Sequence, residues 1–341
     1  MAVPVSPLRT GPGRRRAREL AARRRRSRRR WTALVLVVLA GGLVTGLLLR
    51  MGAAGTRAGE GAVIATGPAR PRSPATRATA PAPSALPRGP GLVMARFHHQ
   101  PRAGILLDQD TGRVLWERAP RRVLPIASLT KMMTAYLVVR RAHAGELVRV
   151  TKEALAYRGS GVGLLPRGRR VRLEPLLYGL LLPSGNDAAI ALAQHVSGTL
   201  PDFVGLMNAT ASRLGLGCTH YASPDGLDDE NRSCAADLAR LAEVDLAQPR
   251  IARIVAQRSA VLRFPIKGGK LYLYNNNPLL RARFPGITGL KTGDTDAAGL
   301  CLVATARRGR IRLVSVLLND PDINRQSAAL LEAGFRADRQ T

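Results

Sequence analysis

The chain has 341 residues, a formal net charge of +30, 45% hydrophobic residues and only 4% aromatic ones. That length allows one large or two small domains with a substantial buried core. The charge suggests nucleic acid, but residues 1–30 hold twelve Arg against one acid, Glu19; over a third of the excess is a tail that cannot fold, and few aromatics remain for a base-stacking platform, so no nucleic-acid partner is expected.

In chain order, the basic tail of residues 1–30 comes first. The uncharged nineteen-residue run from Trp31 to Leu49 follows, long enough to cross a bilayer core of about 30 Å. Under the positive-inside rule the Arg block stays cytoplasmic and everything after Arg50 lies outside. A cleaved signal peptide is the nearer competitor. The long uninterrupted run, and the lack of a clean A-x-A site after it, favour an uncleaved signal anchor and a single-pass cell-membrane protein. Residues 50–92 are rich in Ala, Pro, Gly, Ser, Thr and Arg, a composition that cannot build a core and reads as a linker.

Patterned sequence occupies residues 93–338. Two short strands around Asp110-Thr111-Gly112 predict a hairpin. Ser128 to Arg141 is predicted as a helix, with Leu129, Met132, Met133, Tyr136 and Leu137 on its apolar side. Further helices are expected over 174–182, 187–196, 202–214 and 324–334, and late strands over 260–264, 271–274, 300–306 and 311–318. Strands at both ends with helices between them predict an α+β domain, one antiparallel sheet with an inserted helical lobe. An external location permits a disulfide; Cys218 and Cys234 can pair across the loop between them, while Cys301 in an apolar run reads as a buried strand residue. There is no C-x-x-C or H-E-x-x-H spacing, so neither a metal nor a cofactor is expected.

Three short motifs carry chemistry. Ser128-Leu129-Thr130-Lys131 places a hydroxyl and an amine at i and i+3, on one side of a helix. In the first turn the Ser128 side chain and N–H would lie near the positive helix end. A serine hydroxyl needs a base, and Lys131 serves if burial and a second cation leave it neutral. In Ser184-Gly185-Asn186, between two helices, the Ser184 hydroxyl would relay a proton to the leaving amine, and Asn186 would hold Lys131 and the substrate backbone. Lys291-Thr292-Gly293 precedes a strand; Lys291 and Thr292 would take a substrate carboxylate, Gly293 would let the backbone lie close, and the Asp294 N–H would join that of Ser128 as an oxyanion donor. Each tripeptide alone is consistent with an ordinary cap or turn. Their order, at separations of 56 and 107 residues, is hard to assemble by accident.

On these motifs, and on ASLTKMMTAYLV, LLPSGNDAAIALAQHVSG, THYASPDGLDD and FPGITGLKTGDTDAAGLCLVATARR, residues 95–338 resemble the serine D-alanyl-D-alanine carboxypeptidases, the low-molecular-weight penicillin-binding proteins. The resemblance implies the penicillin-recognising serine enzyme fold, an antiparallel sheet flanked by helices plus an all-helical lobe. It implies Ser128 as acyl-ester nucleophile, Lys131 as proton acceptor, Ser184 as a further catalytic residue and Lys291 as carboxylate ligand. A peptidoglycan stem peptide ending in D-Ala-D-Ala would be the substrate and β-lactams the inhibitors. Two positions depart from the pattern: Asp294, where relatives often carry a neutral or aromatic residue or His, and Asp225, in place of a frequent His in the Pro-x-Gly-Leu loop.

A class A β-lactamase deacylates with a glutamate between the second and third motifs. Here only Glu230 and Glu243 fall there, neither in a Glu-x-x-Leu-Asn setting, which argues against that rival. A D,D-endopeptidase runs the same chemistry on cross-links and cannot be separated by motif. A non-catalytic wall-binding protein would have lost the nucleophile or base, and Ser128, Lys131, Ser184 and Lys291 are all present. A basic adaptor would rest on the Arg tail alone.

Overall fold

The computed structural model describes residues 97–337 together with Val93 and Ala95. The tail, apolar run and linker expected within residues 1–92 lie outside the described residues, as does residue 338.

The hairpin forms as predicted, from β1 (Ala103–Asp108) and β2 (Val114–Arg118). Strands β3 (Ile287–Thr295), β4 (Gly299–Arg308) and β5 (Ile311–Leu318) follow near the other end of the chain. Together they make a five-stranded sheet in the order β2-β1-β5-β4-β3, antiparallel throughout. The first and last strands pair directly, Ala103 opposite Leu318, so the helices between β2 and β3 form an insertion.

Both faces of the sheet are covered, and the side-chain alternation of the strands sorts the apolar residues between them. Leu106, Leu302, Leu313 and Leu317 pack against Leu330, Leu331 and Phe335 of the last helix, Ile323–Ala337. Ile105, Leu107, Val303, Val314 and Val316 face the larger core shared with the inserted helices. The lobe contains α1 (Lys131–Arg141), α2 (Leu173–Leu181), α3 (Asn186–Ser197), α4 (Leu200–Arg213) and α5 (Ala235–Leu246). α2 is apolar nearly all round and buried from Pro175 to Leu181, as expected for a helix inside a lobe. α4 starts where Thr199 accepts from the Asp202 N–H, a side-chain N-cap. α5 was not anticipated from the sequence. The late strands at 260–264 and 271–274 exist, but as a separate hairpin, Ser259–Arg263 with Lys270–Tyr274, outside the main sheet.

Cys218 and Cys234 form a disulfide closing a loop of sequence separation 16, and Cys301 is a buried free thiol on β4. The described helices include none long and apolar enough to cross a membrane.

Candidate active site

The three motifs converge on one cleft of about 370 Å³. Ser128, Ser184, Thr292, Gly293 and Asp294 line it, joined by Ser160, Asn276 and Arg281, which the sequence reading did not single out.

Ser128 is not in the first turn of an α-helix, as expected, but in the 3-10 turn Ala127–Thr130 that leads into α1. The tight entry has a local cause. Ala127 holds φ +47, and the Leu129 N–H reaches back to the Ile126 carbonyl at 3.1 Å, the i→i+3 closure that defines such a turn. Ser128 and Lys131 still meet: Lys131 Nζ lies 2.9 Å from Ser128 Oγ.

Lys131 is fully buried. Its Nζ also donates to Asn186 Oδ1 at 2.6 Å and to the Asp225 carbonyl at 2.5 Å. Burial pulls its proton affinity down, Asp225 and Asp187 oppose that, and the net value is about 7. A neutral amine has two N–H donors and one lone pair. Two carbonyl-type oxygens take the donors, so the lone pair is left for the Ser128 hydroxyl.

Ser184 adopts φ +66, a left-handed conformation that costs a non-glycine residue about 1–3 kcal/mol and concentrates at functional sites. Asn186 opens α3 directly afterwards. Besides accepting from Lys131, it donates from Nδ2 to the Arg158 carbonyl at 2.6 Å and from its N–H to the Ser160 carbonyl at 2.8 Å. The Asp187 carboxylate accepts from the N–H groups of Val162 and Gly163, both at 2.9 Å. These two side chains pin the loop that brings Ser160 to the cleft. Only long-range hydrogen bonds define that loop, and no local periodicity signals it.

The third motif requires two refinements. Lys291-Thr292-Gly293 precedes the strand β4, as expected, but is not a turn leading into it: it lies within β3, at the edge of the sheet, with Lys291 opposite Val303 and Gly293 opposite Cys301. Its Gly and Thr content resembles a turn, and the ladder with the apolar β4 overrides that local preference. Nor does Lys291 point into the open cleft. It is 1% exposed, and its Nζ donates to Ser184 Oγ at 3.0 Å and to the Thr292 carbonyl at 2.8 Å. Burial, then the nearby Lys131, hold its proton affinity well below the ordinary lysine value. Lys291 therefore connects to the second motif, and Thr292 is the part of the pair that reaches the cleft. Gly293 is required by space: a Cβ there would sit 2.8 Å from the Ile126 carbonyl and 3.3 Å from the Ser128 nitrogen. This close approach brings β3 against the turn that carries Ser128.

The Pro-x-Gly-Leu loop also belongs to the site. Asp225 is buried, and Gly226, at φ +84, lies so close to the Ser128 turn that a Cβ would come within 2.1 Å of the Ala127 carbonyl. Glu230 and Glu243 pair with Arg232 and Arg240, and neither is among the residues lining the cleft.

This sheet, its inserted lobe and the cleft between them define the penicillin-recognising serine DD-peptidase fold. A structure of a D-alanyl-D-alanine carboxypeptidase from Mycobacterium tuberculosis is similar with a TM-score of 0.68 at 33% identity, covering 73% of this chain and 96% of that one. The profile of the D-alanyl-D-alanine carboxypeptidase family matches residues 93–322, and the chain belongs to that family. DacF of Bacillus subtilis, named a D-alanyl-D-alanine carboxypeptidase, is 33% identical over 263 residues, 74% of this chain and 67% of its own length. DacC of Escherichia coli, named likewise, is 38% identical over 250 residues, 69% of this chain and 61% of its own length. The chain thus spans about two thirds or less of these two curated relatives.

Proposed function

We propose that this protein is a serine D,D-carboxypeptidase that removes the terminal D-Ala from peptidoglycan stem peptides. The observation that carries the reading is a buried amine, poised near neutrality, 2.9 Å from the hydroxyl of a cleft-lining serine. Lys131 takes the Ser128 proton as Oγ attacks the carbonyl carbon of the D-Ala–D-Ala bond. The N–H groups of Ser128 and Asp294 hold the oxyanion. Ser184, bonded to Lys291, gives its hydroxyl proton to the departing D-Ala nitrogen as the C–N bond breaks and recovers the proton held by Lys131, leaving Lys131 neutral. Water then cleaves the acyl-Ser128 ester and the enzyme is restored. Thr292, backed by Lys291, faces the substrate carboxylate. β-Lactams present a strained amide to the same hydroxyl and act as inhibitors.

On the sequence alone, residues 31–49 anchor the chain in the cell membrane, residues 1–30 stay cytoplasmic and residues 50–92 hold the catalytic domain outside. A reporter fused after residue 92 and active only outside the membrane would test that orientation.

Labelling of the full chain with a fluorescent penicillin tests the mechanism. Wild type should take up label covalently and Ser128→Ala should not; an unlabelled wild type or an equally labelled variant would sink it. Product analysis on a pentapeptide and on a cross-linked dimer separates carboxypeptidase from endopeptidase.

A further inference from the structure

A second groove, of about 460 Å³, lies between two small hairpins and shares no lining residue with the cleft. One hairpin pairs Leu147–Arg149 with Arg170–Arg172, and the other is Ser259–Arg263 with Lys270–Tyr274. Strand alternation decides which side chains face out. Val148 and Val171 are buried, so Arg149, Arg170 and Arg172 turn to solvent. Leu271 and Leu273 are buried, which puts Lys270, Tyr272 and Tyr274 on the outer face of the second hairpin.

The register is unfavourable by itself. Arg149 stands directly opposite Arg170, and Arg263 directly opposite Lys270; like charges so placed repel and destabilise a hairpin. None of these side chains forms an ion pair among the described residues. The acids nearest in sequence are already taken. Glu146 is held by His195 and the His143 N–H, and Glu174 by Arg250 and Arg253. Arg170, Arg172, Arg263 and Lys270 all line the groove, and no acidic side chain does.

A cationic groove without its own counter-charge is complementary to an anion, and the arginine fork fits a carboxylate. Tyr272 and Tyr274, 58% and 68% exposed, continue the outer face from Lys270. At alternate strand positions they stand about 6.6 Å apart, two flat apolar faces with polar tips that suit the rings of a sugar chain. A concave groove admits such a strand and excludes a flat bilayer surface.

We propose that this groove binds an acidic polysaccharide, with Arg170, Arg172, Arg263 and Lys270 taking its carboxylates and Tyr272 and Tyr274 lying against its sugar rings. The choice of a glycan over other polyanions rests on the wall substrate proposed above. Such a contact holds the enzyme on a polymer while the cleft works on peptide ends.

Amine footprinting of the full chain is the test. The chain has five lysines. Lys131 and Lys291 are buried, which leaves Lys152, Lys267 and Lys270 open to an acetylating reagent. Lys152 does not line the groove and is the internal control; the basic tail of residues 1–30 holds no lysine. With polygalacturonate at about ten times its midpoint concentration, Lys270 should react roughly tenfold more slowly. Lys152 should be unaffected, and neutral dextran should protect neither. Arg170→Gln, Arg172→Gln and Arg263→Gln together should abolish the protection without lowering the melting temperature, because they relieve like-charge repulsion. Tyr272→Ala with Tyr274→Ala should weaken it. Equal protection by polyphosphate, a single-stranded oligonucleotide or phosphatidylglycerol vesicles would overturn the proposal, as would protection that either variant keeps in full. Penicillin uptake by the same samples reads the cleft alone, so a failure of the groove and a failure of the peptidase reading are told apart.

Discussion

At the scale of single residues, the proposed mechanism makes catalytic competence depend on the protonation of one amine. Lys131 can take the Ser128 proton only when neutral, and desolvation, partly offset by Asp225 and Asp187, places that change at about 7. Below the midpoint the amine is charged, offers no lone pair and cannot activate the hydroxyl. The acylation rate of the wild type should therefore rise with pH and level off above neutrality. Lys131→Met should lower it by roughly 10²–10⁴-fold, the usual contribution of a positioned base. Stopped-flow acylation across pH 5–9 checks both, and a flat profile would contradict the assignment. Lys291 behaves differently because its amine is spent on Ser184 and on a carbonyl. Lys291→Ala should slow both acylation and turnover by disturbing Ser184, whereas Thr292→Val, altering a group on the cleft wall, should act mainly on KM for a substrate with a free carboxylate.

At the scale of elements, the site is made where segments touch, and the contacts are narrow. Gly226 packs on the turn that carries Ser128, at a positive φ and with no room for a Cβ. Gly226→Ala should destabilise the protein by about 1–3 kcal/mol and slow acylation more than the stability loss alone predicts, because the loop carries the Asp225 carbonyl. Thermal melts alongside label uptake would separate the two effects. The loop that holds Asp225 is closed by Cys218–Cys234. Replacing both cysteines by serine should cost about 3 kcal/mol if the chain-entropy account of such a loop holds, read as a lower urea midpoint. The meeting of Ser128 and Lys131 was legible from sequence because a hydroxyl and an amine at i and i+3 meet in an α-helix or a 3-10 turn alike. The hairpin, α2 and the β5 strand were legible because their apolar periodicity is strong. What stayed hidden depends on partners distant in sequence. β3 reads as a turn until β4 pairs with it, the 158–163 loop is defined only by Asn186 and Asp187, and the inward turn of Lys291 follows from the burial of the Ser184 turn.

At the scale of the whole molecule, the sheet and the lobe meet at α5, and that junction carries a buried acid. Asp245 is 1% exposed, and neither carboxylate oxygen has a hydrogen-bond partner among the described residues. The Tyr221 hydroxyl is buried and unpartnered in the same way, and burial, above all, raises its proton affinity. Burial holds the Asp245 carboxyl well above the ordinary carboxylate range, so the folded protein keeps a proton that the unfolded chain has already released. Stability from this group is complete below the unfolded carboxylate value near 4. It declines as pH rises toward the folded value, because across that interval the unfolded state binds fewer protons. Asp320, raised to about 6 mainly by burial, pulls in the same direction between the unfolded value near 4 and about 6. Asp245→Asn removes the proton dependence while preserving shape. The variant should gain stability relative to wild type as pH rises from 5 to 9, and should show a flatter curve of urea midpoint against pH. Penicillin labelling should be unchanged, since Asp245 is not among the residues lining the cleft. Parallel curves for the two proteins would mean that Asp245 is paired in solution and that the junction is not proton-linked.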